Sequence, residues 1–375
     1  MFLSMKREYT HLRRMVTGAI FASALLAPRL AMAAIPADKS AAVIFVYEHV
    51  GTDSAARGNI SLDQFKEHIN ELEKGNYNVL PLAQIVTAVK NGTPLPPRTI
   101  GLTFDGAYPS LLANVVPLLE KDRMPFTIFF ASDKIDDSTG NRMTWTQLRK
   151  LQNDGLASFG ILPSSYVHMV NKTTSQNAAL INQAVARYRE MMGGTPDFFA
   201  SPYGEFDTAL KEQIAGYDFK AAFGEQSGVA YHGEDMMALP RFVMTQDYGD
   251  IDRFTLTANA LPLPVSDIVP ADPALKNNPP DIGFTVMPAL HDLSKLACFA
   301  SDTGKLPLTR LDQNRIEIRL KQPFTDRRTR INCTLPDETF TPGQDRNWRW
   351  FGMLLTVPDI NDDASASAND DEAGQ

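Results

Sequence analysis

The stretch LTFDGAY, Leu102 to Tyr108, runs an apolar strand into a single acid, Asp105, and follows it with Gly106 and Ala107, which bring no functional group. A carboxylate delivered at the end of a buried strand can serve as a general base if other groups meet it there. The candidates are few. Beyond the N-terminal segment the histidines are His49, His68, His168, His232 and His291. Glu48 and His49 form an adjacent acid and imidazole, and with His168 and Asp105 they make a set that can bind a metal or relay protons once a fold gathers them. His68 falls on a polar position of a helical pattern and reads as a solvated surface histidine; His232, in YHGED, reads as a loop residue. His291, in PALHD, follows a proline-rich stretch and is assigned to a second domain. No Gly-x-Ser-x-Gly nucleophile motif is present.

Short apolar runs alternate with helical patterns from Ala41 to about Phe223, which is what positions such groups. AAVIFVY, TIGLTFD, FTIFFAS, LASFGI, DFFAS and FKAAFG read as buried strands. SLDQFKEHINELEKG reads as a helix with Ser61 and Gln64 as a capping box and Leu62, Phe65, Ile69 and Leu72 on one face. YPSLLANVVPLLEKD, TWTQLRKLQND, roughly 175–192 and FDTALKEQIAG read as further helices. This rhythm implies parallel βαβ units, about seven of them, and a barrel in preference to an open sheet. Prolines crowd from Leu261 to Gly283, where no periodicity survives, and the segment reads as a linker. Beyond it, short strands with turn residues between them fit a small antiparallel β-sandwich, in which Trp348 and Trp350 alternate onto one face around Arg349. That pair reads as a core pair, with stacking on sugar rings as the alternative.

The chain has 375 residues and a formal net charge of −8. Lys6, Arg7, Arg13 and Arg14 precede an apolar run from Met15 to Ala27, and AMA follows at Ala31 to Ala33, so residues 1–33 read as a cleaved secretory signal. The run is too short for a membrane span of about 20 residues. Five bases against one acid leave with that segment, which takes the net charge to −12. An acidic body argues against nucleic acid or anionic lipid as partner. The two cysteines, Cys298 and Cys333, are expected to pair in an oxidising compartment, whether periplasm or cell envelope. Six acids and no base lie after Pro358, so the tail is expected to be disordered.

The segments AAVIFVYEHVG, LTFDGAY, SFGILPSSYVH, FFASPYGEFD and ALPRF stand in the order and at the spacing of the polysaccharide deacetylases, the NodB-homology or carbohydrate esterase family 4 group, which the chain resembles from about Ala41 to Arg253. The resemblance implies a distorted (β/α)7 barrel over residues 34–262, the linker at 263–281, and a β-sandwich at 282–358 before the acidic tail 359–375. It also implies removal of acetyl groups from N-acetylated sugars with a divalent metal, usually zinc. In the family, two imidazoles and a carboxylate hold the metal, and a second carboxylate takes the proton of the attacking water.

Asp105 matches the base, but the three ligand positions fall on Gly106, Leu162 and Tyr166, and Glu48 replaces a histidine after the first-strand tyrosine Tyr47. Pro202, Tyr203 and Gly204 match the segment whose tyrosine backbone N–H helps form an oxyanion hole in the family, although Ala200 stands where many members have arginine. Arg241 matches an arginine beside the base. The expectation is therefore an exported family member without a metal, a pseudoenzyme that binds a polysaccharide or peptidoglycan-like glycan or assists an active enzyme partner. The rivals are a deacetylase with an atypical site at Glu48, His49, His168 and Asp105, and a structural or assembly protein of the envelope. The Asp105 carboxylate also has a structural reading, pairing with Arg241 or capping the next helix.

Overall fold

The computed structural model describes residues 36–52, 58–137, 139–290, 292–338 and 347–360. The expected signal segment, His291 and the acidic tail beyond residue 360 lie outside the described residues. Among those described, no helix is long and apolar enough to cross a membrane.

Six strands run parallel and side by side: β1 (Ala42–Tyr47), β2 (Thr99–Asp105), β3 (Phe126–Phe130), β4 (Ala157–Ile161), β5 (Phe198–Ala200) and β6 (Ala221–Phe223). β1, β2 and β3 are buried at every residue, as parallel strands covered on both faces must be. The register pairs Tyr47 with Phe104, Asp105 with Phe129, Phe130 with Ile161 and Ala200 with Phe223, so the carboxyl ends of neighbouring strands finish level. The sheet curls. After β6 the chain bridges Leu239 to Phe223 and then runs β7 (Phe242–Val243) parallel to the free side of β1, which brings the two edges toward each other as a distorted barrel.

Helices α1 (Leu62–Lys74), α2 (Leu82–Asn91), α3 (Trp145–Asp154), α4 (Thr174–Met192), α5 (Thr208–Ala215) and α6 (Ile251–Ala258) belong to the barrel. Ser61 and Gln64 close the expected capping box on α1, and Thr144 with Gln147 and Thr173 with Gln176 repeat it on α3 and α4. The segment after Tyr108 is not one helix. A π-turn over Leu111–Val115 passes into a short α-helix at Val116, and Pro117 follows at once, where its missing N–H is tolerated only because a new helical start is made there.

His68 is not on the surface. It is fully buried on the inner stripe of α1, where Tyr47 Oη lies 3.0 Å from Nδ1, the Gly249 carbonyl lies 2.8 Å from Nε2, and the ring stacks on Phe254 at 4.0 Å. An imidazole with partners for both ring nitrogens can sit in a core, which a polar residue counted by type alone does not reveal.

The proline-rich stretch is not a linker either. It holds β8 (Val265–Val269), paired antiparallel to β9 (Asp281–Val286), and the two-residue strand Leu261–Pro262. Pro264 and Pro270 bracket β8, so neither interrupts its ladder. Its residues are mostly exposed, which is why no alternation marked it. With β12 (Arg315–Arg319) and β11 (Leu308–Arg310) these strands make one sheet of a sandwich. The other contains β10 (Ala297–Ala300), β13 (Arg328–Pro336) and β14 (Trp348–Thr356).

Burial alternates strictly along β13. Ile331, Cys333 and Leu335 point into a core shared with Phe284, Ile316 and Ile318, while Arg328, Arg330, Asn332 and Thr334 point out. Cys298 and Cys333 oppose each other across the β10–β13 ladder and are bonded, closing a 35-residue separation worth about 3 to 4 kcal/mol by loop entropy.

Candidate functional site

Parallel strands deliver their carboxyl ends to one rim, and Asp105, Gly106, Leu162, Tyr166, Ser201 to Gly204, Glu225 and Arg241 lie at or just beyond those ends. Asp105 is buried, and both of its oxygens are taken: Arg241 Nη1 donates to Oδ1 and Nη2 to Oδ2, each at 2.8 Å. Arg241 is fully buried too, with Nε on the Gly224 carbonyl at 3.0 Å and Nη1 on Thr103 Oγ1 at 3.3 Å. Burial pushes the Asp105 carboxyl up, and Arg241 offsets only part of that rise. Burial presses the guanidinium down, but Asp105 more than restores it, so Arg241 stays charged. A bidentate pair of this kind fixes the carboxylate in one orientation.

The three positions beside it carry no ligand set. Gly106 has φ +104°, and a Cβ there would stand 2.3 Å from the Tyr108 ring, so the backbone has settled where a side chain is not accommodated. Leu162 is fully buried in an apolar cluster with Phe129, Phe223 and Leu239. Tyr166 lays its ring edge-on to Tyr203, centroids 4.5 Å apart, and its hydroxyl accepts the Tyr203 backbone N–H at 3.2 Å. Burial, followed by the charges of Glu48, Glu225 and Asp105, holds the Tyr166 phenol far above its ordinary pKa, so it remains a neutral hydroxyl.

The sandwich closes over this rim. Arg327 is buried and donates Nε and Nη2 to Glu205 Oε1 and Oε2 at 2.9 and 3.2 Å. Arg328 lies over the Tyr203 ring, 4.9 Å from its centroid, and Arg330 reaches Glu225 Oε2 at 2.5 Å. His168 also belongs to this contact, with Nδ1 2.9 Å from Glu205 Oε2 and the ring stacked on Tyr203 at 4.1 Å. Burial would raise the Glu205 carboxyl, but His168 and Arg327 together bring it below its ordinary value. His49 lies elsewhere, against Tyr108, where burial and then Arg142 lower its pKa to about 4. Each candidate histidine thus has its own neighbours, and among the described residues no three His, Cys, Asp or Glu side chains are arranged to hold a metal ion.

Sequence reasoning located Asp105, Arg241 and Tyr203 but passed over Glu205, Glu225, Arg327, Arg328 and Arg330. The signal was the basic run DRRTR at the start of a strand, with Glu205 directly after the SPYG turn and Glu225 just beyond the strand that ends at Phe223.

The profile of the polysaccharide deacetylase family matches residues 92–222, which span β2 through β6 and hence most of this rim. Over these residues the chain matches the polysaccharide deacetylase family. The poly-beta-1,6-N-acetyl-D-glucosamine N-deacetylase of Escherichia coli K12 is 22% identical over 229 residues, covering 50% of this chain and 34% of that enzyme. The chain therefore matches about a third of the length of that curated relative. The fold is shared with Streptococcus pyogenes deacetylase PplD, solved with acetate, at TM-score 0.55 and 15% identity over 59% of this chain and 99% of that one. It is shared also with IcaB from Ammonifex degensii, at TM-score 0.53 and 22% identity over 59% and 97%.

Polysaccharide deacetylases generally depend on a divalent metal, and the residues present here do not fit one. A hydrogen, an aliphatic chain and a neutral phenol already engaged with a backbone N–H are not a donor set for a hard or borderline cation.

Proposed function

We propose that this chain is an exported polysaccharide deacetylase-family protein that binds an envelope polysaccharide or peptidoglycan-like glycan, alone or beside an active enzyme, without deacetylating it. The observation that carries the reading is Tyr166. Its hydroxyl stands on the Tyr203 N–H, the donor that the family resemblance assigns to a developing oxyanion, so one substitution both removes a ligand position and occupies the donor. Clamping of Asp105 by Arg241 and closure of the rim by Arg327 and Arg330 support the same reading.

Metal analysis of the purified protein after zinc loading and dialysis, with an acetate-release assay on N-acetylglucosamine oligomers, tests it. The expected result is substoichiometric zinc and no acetate. Stoichiometric zinc, or turnover that Asp105→Ala abolishes, overturns the reading in favour of a working enzyme.

A further inference from the structure

Beside the closed rim lies an open cleft of about 470 Å³, between α6 with its preceding turn and the outward face of β10, β13 and β14. That volume falls in the range of small-molecule and sugar sites, about 300 to 1,000 Å³. We propose that this cleft binds a glycan segment carrying a carboxylate, with aromatic side chains as platforms for the sugar rings and Arg253 as the partner of the acid. The ligand class rests on the glycan-binding reading above; the place and the charge do not.

Three observations support the assignment. First, the wall is aromatic and open. Seven large apolar side chains are exposed among the described residues, and three of them, Tyr248, Leu256 and Phe299 at 49%, 39% and 42%, border this one cleft. Trp348 and Trp350 line it from β14 and are half-buried; Trp350 packs one side against the barrel core, as expected of a core residue, and turns the other to the cleft. Trp350 is held by an edge contact to Phe242 at 5.2 Å and by its Nε1–H on Asn332 Oδ1 at 3.2 Å. A pyranose presents an apolar C–H face and a rim of hydroxyls, and flat rings set among amide, hydroxyl and guanidinium groups complement both.

Second, the cleft is basic in an acidic chain. Its lining includes Arg253 and Arg330 and no aspartate or glutamate, against 44 acids and 36 bases in the whole sequence. Third, the two arginines differ in what answers them. Arg330 is paired with Glu225, whereas the Arg253 guanidinium uses only Nη1, toward the carbonyls of Val243 and Tyr248 and the Met244 sulfur. Its Nε and Nη2 have no acceptor among the described residues. Burial lowers its pKa to about 10, with the charge of Asp250 countering part of that and the like charge of Arg330 adding to it, so it carries its proton at neutral pH; Asp250 makes no hydrogen bond to the guanidinium among the described residues. A half-buried guanidinium with two donor nitrogens to spare is the geometry a carboxylate answers. The same charge disfavours a de-N-acetylated, cationic glycan.

Titration of the full chain with a linear hexa-uronate, a neutral glucan hexamer and a hexaglutamate peptide, at low and high salt, tests the proposal. The hexa-uronate is expected to bind best, to weaken with salt, and to lose at least tenfold in affinity in Trp348→Ala and Arg253→Gln. Phe299→Ala, an exposed position, is expected to lose severalfold with no change in folding. Leu311→Ala, exposed at 54% and outside the cleft lining, serves as the unaffected control. Uronate binding unchanged in the cleft variants overturns the site while leaving glycan binding in place. Equal affinity for the neutral hexamer overturns the role of Arg253, and equal affinity for the peptide overturns the saccharide assignment. Absence of any saccharide binding overturns both this proposal and the reading beneath it.

Discussion

The barrel rim and the cleft beside it are made from the same kinds of side chain, tyrosines, tryptophans and arginines, and differ in what answers them. At the rim every principal cation has a carboxylate: Arg241 has Asp105, Arg327 has Glu205 and Arg330 has Glu225. Even the Tyr203 N–H has the Tyr166 hydroxyl. In the cleft the rings are exposed and Arg253 keeps donors to spare. The difference is one of partners: among the described residues the rim's charged groups are answered by the chain's own side chains, whereas the cleft supplied by the second sheet presents exposed rings to solvent.

If the rim is structural, its charges must matter for stability. Arg241→Ala leaves the Asp105 carboxylate buried without its partner and is expected to destabilise by about 3 to 5 kcal/mol, read as a lower urea midpoint. The double variant Asp105→Leu with Arg241→Met should recover most of that, because no buried charge is left over. A loss under 1 kcal/mol in the single variant breaks the comparison. Arg327→Ala is expected to cost about 2 to 3 kcal/mol, since Glu205 keeps only His168 as a close partner and Arg328 at 3.9 Å.

Most of the barrel was legible because parallel strands buried on both faces write themselves as continuous apolar runs, and TIGLTFD begins and ends where β2 does. Asp105, Gly106 and Tyr203 were legible through their motif. What was hidden depends on long-range partners. His68 sits in the core only because Tyr47 and Gly249 meet its nitrogens, and β8 is a strand only because β9 pairs with it. The ion pairs of Arg327 and Arg330 join residues more than 100 positions apart, Glu205 to Arg327 and Glu225 to Arg330, and no local pattern encodes such a distance.

The buried histidine gives a pH test of comparable size. His68 has a pKa lowered to about 4, chiefly by burial, so the folded state resists the proton that the unfolded chain accepts below about 6.5. Its contribution is complete above pH 6.5 and is lost as pH falls toward 4, on the order of 3 kcal/mol by the end of that window. Glu205, held below its ordinary value, adds a further loss under more acid conditions. Glu234 works the other way, because burial raises its carboxyl to about 7 and the folded state gains as pH falls toward 4.5. Urea midpoints measured from pH 7.5 to 4 should therefore fall by the combined share of His68 and His49 less that gain, and His68→Gln should remove about half of the histidine share. An unchanged slope in that variant would place the acid sensitivity elsewhere.

A smaller effect probes the donor itself. Tyr166→Phe removes the acceptor of the Tyr203 N–H while keeping the ring, and is expected to cost about 1 kcal/mol in urea unfolding, the penalty of leaving a partly buried donor unmet. A neutral result would mean that the N–H is answered by something other than the phenol.

The smallest expected effect is the one that separates the two regions most sharply. Phe299→Ala removes an aromatic ring, a change that in a core costs about 3 to 5 kcal/mol. At 42% exposure on the outward face of β10, much of that ring's surface is already in water, so the expected loss of stability is under 1 kcal/mol. The β-propensity of the position also falls slightly with alanine, which sets a floor of a few tenths. If the unfolding free energy drops by several kcal/mol instead, Phe299 is packing against the barrel and the cleft is an interior seam. If the midpoint holds while saccharide affinity falls, the ring is retained for something other than folding, and the open surface, not the ancestral groove, is where this barrel meets its ligand.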